Sequence, residues 1–145
     1  ELLIKVLACP IQPVDRLIAE GGFVIPDIES KLPLGMGFDG AGIVEDTYDE
    51  EHKSLIGTTV GFMQEPNIPN YEGCFRQYIY INVNGVFPFP KGTDPETVFC
   101  LSNPITVFNI IEFAKQGKHK AIVQAAACSG LGKILIRYCK KLEIP

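Results

Sequence analysis

The most regular pattern of apolar and polar positions lies in residues 120–142, near the end of the chain. A short apolar run at 121–123, preceded by charged residues and followed by small ones, predicts a strand covered on both faces of a parallel sheet. From residue 131 onward, apolar side chains recur at helical spacing and basic side chains gather opposite them, which predicts an amphipathic helix. Its apolar positions are Leu131, Ile134, Leu135, Tyr138 and Leu142.

Small residues occupy the turn between this strand and this helix, namely Ala126, Ser129, Gly130 and Gly132. Short side chains let a phosphate group approach the backbone N–H groups at the helix N-terminus, where the helix dipole is positive. The pattern is typical of the first unit of a dinucleotide-binding domain. Small residues also permit close packing of a strand on a helix without any ligand, so both interpretations stay open at this point.

Residues 1–90 hold short strand-like segments separated by Gly and Pro, and they predict a small, mostly β unit. The predicted strands are 2–8, 41–45, 58–63 and 75–82. Short helices are predicted at 13–19 and at 95–101, the second with Thr93 or Asp94 as its N-cap. The loop at 64–73 is too rich in turn-forming residues to be a strand.

A third helix is predicted to begin at Pro104, with Asn103 as its cap, and to end at Gly117. Apolar residues cover most of its surface, which favours a position between two layers of structure.

The composition is that of an ordinary globular protein, with 46% hydrophobic and 21% charged residues and a formal net charge of -4. The acidic balance and the lack of a basic stripe argue against binding to nucleic acid. No apolar run approaches the roughly 18 residues that a membrane-spanning helix needs. We therefore expect neither nucleic acid nor membrane as a partner.

The chain lacks an initiator Met, and its first residues look like the middle of a strand, so we expect the true N-terminus to lie upstream. No signal peptide is visible. An intracellular, cytoplasmic location is expected, and a mitochondrial one stays open because targeting information would lie in the missing segment.

The five cysteines are scattered and form no CxxC pair, which favours reduced thiols over a disulfide framework. The two histidines, His52 and His119, lie far from any cysteine in the sequence. No zinc-ligand spacing results, and no metal is expected.

A series of short motifs follows along the chain: IKVLA at 4–8, IQPVD at 11–15, GFDGAGIV at 37–44, GTTVG at 57–61, GCFRQY at 73–78, NPIT at 103–106 and AACSGLG at 126–132. Their order and spacing resemble the medium-chain dehydrogenase/reductase superfamily, specifically its zinc-free quinone oxidoreductase and enoyl reductase-like branch. The resemblance implies a mixed α/β fold. A GroES-like, mostly β catalytic domain at 1–90 would precede inter-domain helices and the first β-turn-α unit of a truncated Rossmann fold at 91–145.

Two positions depart from the zinc alcohol dehydrogenases of that superfamily. Gln12 stands where they carry a zinc-binding cysteine, and Phe38 stands where they carry a zinc-binding histidine. Without the thiolate and the imidazole, zinc loses its preferred ligands. A zinc-free enzyme must then polarise its substrate carbonyl by hydrogen bonds, and Gln12 is a candidate donor.

The resemblance also implies the site residues. Catalytic roles fall to Gln12 and Thr106, and cofactor binding falls to Thr106, Ala126, Ser129, Gly130, Leu131 and Gly132. Each has a structural alternative: Gln12 before Pro13 can satisfy backbone groups in a turn, and Thr106 can be an ordinary first-turn residue.

Three further residues receive structural interpretations. Asp15 is taken as a backbone-bonding or ion-pairing residue and Asp39 as a structural residue between glycines. Phe23 lies where some relatives place a catalytic Tyr, and it has no proton to donate.

The implied reaction is hydride transfer from NADPH, with NADH left open, to a quinone or an α,β-unsaturated carbonyl. The complete protein is expected to act on a small molecule, with a homodimer as a possible assembly, and the 145-residue chain alone is expected to be inactive. The competing hypothesis is a non-catalytic binding or dimerising module, or a degenerate fragment without activity.

Overall fold

A computed structural model describes residues 1–22, 29, 32–64 and 72–145 of the chain. These residues form two compact units, Glu1–Leu101 and Ser102–Pro145. Two sequence-based interpretations lie outside the described residues: that of Phe23, and that of the turn-rich loop over most of its length.

The first unit is built on a five-stranded sheet. The strands are β1 (Leu2–Ala8), β2 (Asp39–Thr47), β3 (Thr59–Met63), β4 (Tyr78–Ile81) and β5 (Val86–Pro88). Their order is β4-β1-β2-β3-β5, and each neighbouring pair is antiparallel. The four predicted strands are confirmed, β1 with the predicted bounds. The three-residue strand β5 is too short to produce an alternating pattern, so the sequence did not predict it.

The register of β1 against β2 brings their backbones very close together. Val6 lies opposite Gly42, and the ladder shifts register between Val6 and Ala8. A Cβ atom at Gly42 would lie only 2.1 Å from the carbonyl oxygen of Lys5. Only glycine fits this position without moving the backbone.

One face of the sheet carries the hydrophobic core of the first unit. Residues at alternate positions of each strand point inward, as the period of two requires. The buried core residues are Leu2, Ile4, Val44, Val60, Phe62, Cys74, Ile79, Ile81 and Val86.

Short helical segments connect the strands. The helix α1 spans Pro13–Ala19, as predicted, and 3-10 turns lie at Glu50–Leu55, Val83–Gly85 and Pro95–Thr97. Asp94 caps the last of these turns by accepting the backbone N–H of Glu96 at 3.0 Å. The α-helix predicted over 95–101 is therefore wrong beyond this one turn.

The second unit consists of two packed helices, α2 (Ser102–Gln116) and α3 (Gly130–Lys141). Val107 and Ile111 of α2 and Leu135 of α3 are buried, and all five predicted apolar positions of α3 belong to this cluster. The predicted start of α2 is wrong, because the helix begins at Ser102 and includes Asn103 in its first turn. Phe108 and Phe113 of α2 are exposed, so only one face of this apolar helix packs within the unit.

The predicted buried strand at 121–123 is not formed. Residues 121–124 have no regular secondary structure, and the Val123 side chain is 98% exposed. A strand needs a neighbour to take up its backbone groups, and none of the strands in the described residues pairs with this segment. Instead, the N–H of Ile122 donates to the carbonyl of Pro145 at 3.0 Å.

One stretch, Pro95–Gln116, is long and apolar enough to cross a membrane, with a mean hydropathy of 1.3 in its best window. It is divided between the 3-10 turn at Pro95–Thr97 and α2, with non-helical residues between them. A core helix of a soluble protein meets the same criteria. The expectation that the protein has no membrane partner stays a prediction.

We predict that Phe62→Ala lowers the free energy of unfolding by about 3–5 kcal/mol, because the side chain is fully buried and its removal leaves a cavity. The matched control is Phe87→Ala in β5, where the ring is 39% exposed and the loss should be clearly smaller. Urea denaturation of both variants measures the difference. Equal losses would contradict the placement of Phe62 at the centre of the core.

Candidate functional site

Gln12 lies at the N-cap of α1, directly after the loop that leaves β1. Its backbone is extended, with φ -114° and ψ 158°, and Pro13 occupies the first helical position. The side chain of Asp15, three residues later, accepts the backbone N–H of Gln12 at 2.7 Å and completes a capping box. This arrangement satisfies N–H groups that a helix start otherwise leaves unpaired.

Asp15 also ties α1 to the sheet. Its second carboxylate oxygen accepts the backbone N–H of Phe38 at 3.1 Å, just before β2 begins. The residue is only 4% exposed, so both bonds form away from bulk water. The structural interpretation of Asp15 as a backbone-bonding residue is confirmed.

Asp39 brings the side chain of Gln12 to the sheet. It is the first residue of β2 and is fully buried. Its carboxylate accepts a hydrogen bond from the Gln12 side-chain amide. The sequence contains no signal for this contact, because the two residues are 27 positions apart.

A buried glutamine holds the neighbouring segment against this cluster. The side-chain oxygen of Gln64 accepts the backbone N–H groups of Glu72 and Gly73, both at 3.0 Å. Next to them, the N–H of Cys74 donates to the carbonyl of Gly37 at 2.9 Å. Gly37 has a φ of +103°, a conformation that favours glycine. Sequence reasoning missed Gln64, since a single glutamine at a strand end gives no pattern.

Two cysteines lie beside the same cluster. The thiol of Cys9 donates to the carbonyl of Cys74 at 3.2 Å. Burial, together with the charges of Asp15 and Asp39, raises the pKa of Cys9 to about 11. Burial likewise raises the pKa of the Cys74 thiol. Both side chains are therefore protonated thiols at neutral pH, and neither is an activated nucleophile.

No group of three or more His, Cys, Asp or Glu side chains in the described part of the chain is placed to hold a metal ion. At the two positions that matter for the zinc comparison, Gln12 and Phe38, the side chains are an amide and a benzyl group. Neither is a ligand that zinc prefers.

In the second unit, Ser129 is the N-cap of α3. Its hydroxyl oxygen accepts the backbone N–H of Gly132 at 3.0 Å, and its own N–H donates to the carbonyl of Ala126 at 2.9 Å. Ala126 has a φ of +53°, an unusual value for a residue with a side chain. Hydrogen bonds within the turn therefore hold it in a tight conformation.

The glycines of this turn have different surroundings. A Cβ atom at Gly132 would lie 2.6 Å from the carbonyl oxygen of Ala127 and 2.8 Å from that of Ala126. At Gly130 the nearest atom is the side-chain nitrogen of Asn103, at 3.4 Å. Gly132 thus permits the turn to pack on the helix, whereas Gly130 leaves open space at the helix start.

The first turn of α3 is the part of the second unit where the sequence predicts an anionic group. Ser129 and Gly130 are exposed. The N–H groups of a helix N-terminus and its dipole favour negative charge. Asn103 is an addition to the predicted residues, because its side-chain amide lies beside Gly130.

The predicted site residues thus fall into two local groups. Gln12 belongs to the first unit, whereas Thr106 and the turn residues Ala126, Ser129, Gly130, Leu131 and Gly132 belong to the second. Thr106 is exposed on α2, and Leu131 packs its side chain in the helix interface. Their joint action in one catalytic site stays a prediction.

Comparison with known proteins supports the family resemblance. Residues 1–91 match the family described as Alcohol dehydrogenase GroES-like domain. A protein from Mesorhizobium loti, provisionally described as an NADPH:quinone reductase, is 28% identical, with a TM-score of 0.82 over 99% of this chain and 40% of that one. A quinone oxidoreductase from Coxiella burnetii is 19% identical, with a TM-score of 0.78 over 97% of this chain and 44% of that one.

A quinone oxidoreductase from Pseudomonas syringae pv. tomato shares the fold as well, at 20% identity and a TM-score of 0.72 over 97% of this chain and 41% of that one. The chain therefore spans about 40% of the length of the structures it matches. The predicted mixed α/β fold and the predicted superfamily are confirmed.

Gly132→Ala should destabilise the second unit by about 1–3 kcal/mol, because the added methyl group meets two backbone carbonyls that cannot move freely. Gly130→Ala is the matched control, with the same chemical change two residues earlier and room for the methyl group. Thermal unfolding followed by circular dichroism compares the two. A Gly132→Ala variant as stable as Gly130→Ala would show that the turn is not packed as described.

Alkylation with iodoacetamide at neutral pH should modify Cys128 well before Cys9 and Cys74. Cys128 is exposed, whereas burial raises the pKa of Cys9 to about 11 and leaves almost no thiolate. Peptide mass spectrometry at successive times gives the order. Denatured protein serves as the control, in which the three rates should converge, and early labelling of Cys9 in the folded protein would refute the assignment.

Proposed function

The chain belongs to the alcohol dehydrogenase GroES-like domain family, and we propose that the complete protein is a zinc-independent, NADPH-dependent oxidoreductase. Its substrate would be a quinone or an α,β-unsaturated carbonyl. The observation that carries the proposal is the similarity of nearly the whole chain to the Mesorhizobium loti protein described as an NADPH:quinone reductase. The chain would contribute the catalytic domain and the start of the cofactor domain.

Zinc independence rests on the chemistry of two side chains. Gln12 and Phe38 occupy the positions where the zinc alcohol dehydrogenases carry a cysteine and a histidine. An amide is a weak zinc ligand and a phenyl ring is none, so the donor set for a catalytic zinc is lost. Activation of the substrate would then depend on hydrogen bonding rather than on a Lewis acid.

Gln12 is the residue that we assign to the substrate carbonyl. A side-chain amide N–H can donate to an oxygen that gains negative charge when a hydride reaches the conjugated carbon. The capping box and the bond to Asp39 restrict its backbone and side chain before any substrate binds. Such restriction lowers the entropic cost of reaching the reactive geometry.

The turn at the start of α3 is assigned to the cofactor. NADPH, or NADH, supplies the hydride when it is bound. Its pyrophosphate would lie against the backbone N–H groups of Gly130 and Leu131, with Ser129 as a hydroxyl donor. The N–H of Gly132 already donates to the Ser129 hydroxyl oxygen. Ala126 and Gly132 shape the turn, and Thr106 on α2 is proposed as a further contact.

A second candidate function is favoured by one feature of the second unit. Four large apolar side chains are exposed there: Phe108, Phe113, Val123 and Ile136. Exposed apolar surface of this kind is typical of an interaction face. If the 145-residue chain acts on its own, it would serve as a binding or dimerising module rather than as an enzyme.

The proposed activity predicts that the full-length protein consumes NADPH in the presence of a quinone or an enone, and that prior treatment with a zinc chelator leaves the rate unchanged. The measurement is the loss of NADPH absorbance with a panel of quinones and enones, repeated with NADH. A zinc-dependent alcohol dehydrogenase, which should lose activity, is the control for chelation.

Failure with every acceptor would refute the proposed reaction, and a rate restored only by added zinc would refute zinc independence. The 145-residue chain is tested separately by nicotinamide fluorescence. Enhanced fluorescence would show that this chain alone binds the cofactor, contrary to expectation.

A further inference from the structure

Gln124 lies in the segment that leads into the turn before α3, and its side chain bonds to the helix itself. The amide nitrogen of Gln124 donates to the carbonyl oxygen of Gly132 at 3.3 Å. Gly132 is the third residue of α3 and is buried. A carbonyl oxygen has two lone pairs, so it can accept this bond as well as one within the helix. Gln124 therefore ties the entry of the turn to the first turn of the helix.

Gly132 is held at both of its backbone polar groups. Its N–H donates to the Ser129 hydroxyl oxygen at 3.0 Å, and its carbonyl accepts the bond from Gln124. The backbone of the turn also lies against its α carbon, since a Cβ atom there would be 2.8 Å from the Ala126 oxygen and 2.6 Å from the Ala127 oxygen. The turn is thus wrapped around Gly132, and its conformation depends on where this residue is held.

The segment that carries Gln124 is itself restrained, although it forms no strand. The N–H of Ile122 donates to the carbonyl of Pro145 at 3.0 Å, and the Ile122 side chain packs against the cluster between α2 and α3. Ile122 and Gln124 are half-buried, whereas Val123 between them is exposed, so alternate side chains face the helices. Gln124 is therefore a donor on an anchored segment rather than on a free loop.

The bond bears on the two backbone N–H groups that the proposed cofactor site uses. Gly130 and Leu131, which carry them, are the first two residues of α3, directly before Gly132. Because peptide units are planar, the directions of these N–H groups depend on the conformation of the turn and so on the position of Gly132. A site whose donors are held in place before the ligand arrives loses less conformational entropy on binding.

We propose that Gln124 is a positioning residue for the cofactor: its bond to Gly132 holds the turn so that the N–H groups of Gly130 and Leu131 can bind the pyrophosphate. The inference rests on the proposed function and deepens it. In this role Gln124 acts through Gly132 and not by contact with the cofactor. A neutral amide suits the position, because an ionised acid could not donate to the carbonyl and would add negative charge near an anion.

The first test is Gln124→Met in the full-length protein, which keeps the length of the side chain and removes the donor. The Kd for NADPH, measured by nicotinamide fluorescence, and the KM for NADPH should both rise by roughly 3–10-fold, the equivalent of one hydrogen bond. The values of kcat and of KM for the quinone should stay constant, because weaker binding of the cofactor in the same place does not change the reaction once it is bound.

A second readout does not depend on activity. In the protein without cofactor, hydrogen exchange of the Ser129 and Gly132 N–H groups should be about 3–10-fold faster in Gln124→Met, because the bond that restrains the turn is lost. Mass spectrometry of peptides that cover the turn measures this rate. Peptides from the five-stranded sheet of the first unit should exchange as in the wild type.

A change of charge at the same position gives a sharper contrast. Gln124→Glu should raise the Kd for NADPH by more than roughly 10-fold, because it loses the donor and places a negative charge near the pyrophosphate. Gln116, exposed at the end of α2, is the matched control, since Gln116→Met and Gln116→Glu make the same chemical changes there. Both control variants should bind NADPH as the wild type does. If thermal unfolding shows that Gln124→Met does not fold, the comparison of Gln124→Glu with Gln116→Glu decides the question.

An unchanged Kd for NADPH in Gln124→Met, or unchanged exchange of the turn, would overturn the inference and leave the proposed function in place. A lower kcat with a constant KM for NADPH would also overturn it, since Gln124 would then affect the reaction and not the binding. A wild-type protein that binds no NADPH would refute the proposed function and this inference together. Weaker NADPH binding combined with faster exchange of the turn, with both Gln116 variants unchanged, supports the proposal.

Discussion

The buried carboxylate of Asp15 is the interaction on which the first-unit site depends. Its two oxygens accept backbone N–H groups from Gln12 at the start of α1 and from Phe38 just before β2. Charge-assisted hydrogen bonds of this kind are stronger than neutral ones. If the carboxylate were removed, the two backbone N–H groups would stay buried without an acceptor and would pay their full desolvation cost. One side chain thus fixes where the helix begins relative to the sheet.

That anchor makes the contact between Gln12 and Asp39 possible. The helix start can present Gln12 to β2 only because the chain on both sides is restrained, by the tight approach of β1 to Gly42 and by the bonds of Gln64 to residues 72 and 73. The polar cluster lies beside the apolar core that contains Phe62 and Cys74. Every buried side-chain polar atom in the described residues has a hydrogen-bond partner, which is what allows such a cluster to persist.

Local patterns predicted the elements whose stability is local. Apolar periodicity predicted the helix α3 and the bounds of β1. The family was identified from the resemblance of the short motifs. The prediction of a strand at 121–123 is wrong, because a strand forms only where a neighbouring strand pairs with it. The apolar pattern of the segment does not show whether such a neighbour is present. The residue type of Asn103 favours a cap, but α2 begins one residue earlier, at Ser102.

The site residues also divide into those that local sequence predicts and those that it does not. The sequence placed Ser129 and Gly132 in the turn before α3, since both belong to one short run of small residues. It did not predict that Ser129 is the N-cap of the helix. The bonds of Asp39 to Gln12 and of Asp15 to Phe38 could not, because they join segments more than 20 residues apart in sequence. Polar contacts between distant segments produce no periodic pattern in a single sequence.

The two buried acids also limit what Gln12 can contribute. In the proposed reaction, negative charge that develops on a substrate oxygen near Gln12 would be repelled by Asp15 and Asp39, and this repulsion is larger in a buried site than in water. Together with burial, the same charges raise the pKa of the Cys9 thiol to about 11. The benefit of Gln12 to the proposed reaction must therefore come from a fixed orientation rather than from a favourable potential. The capping box and the bond to Asp39 supply such a restraint on Gln12.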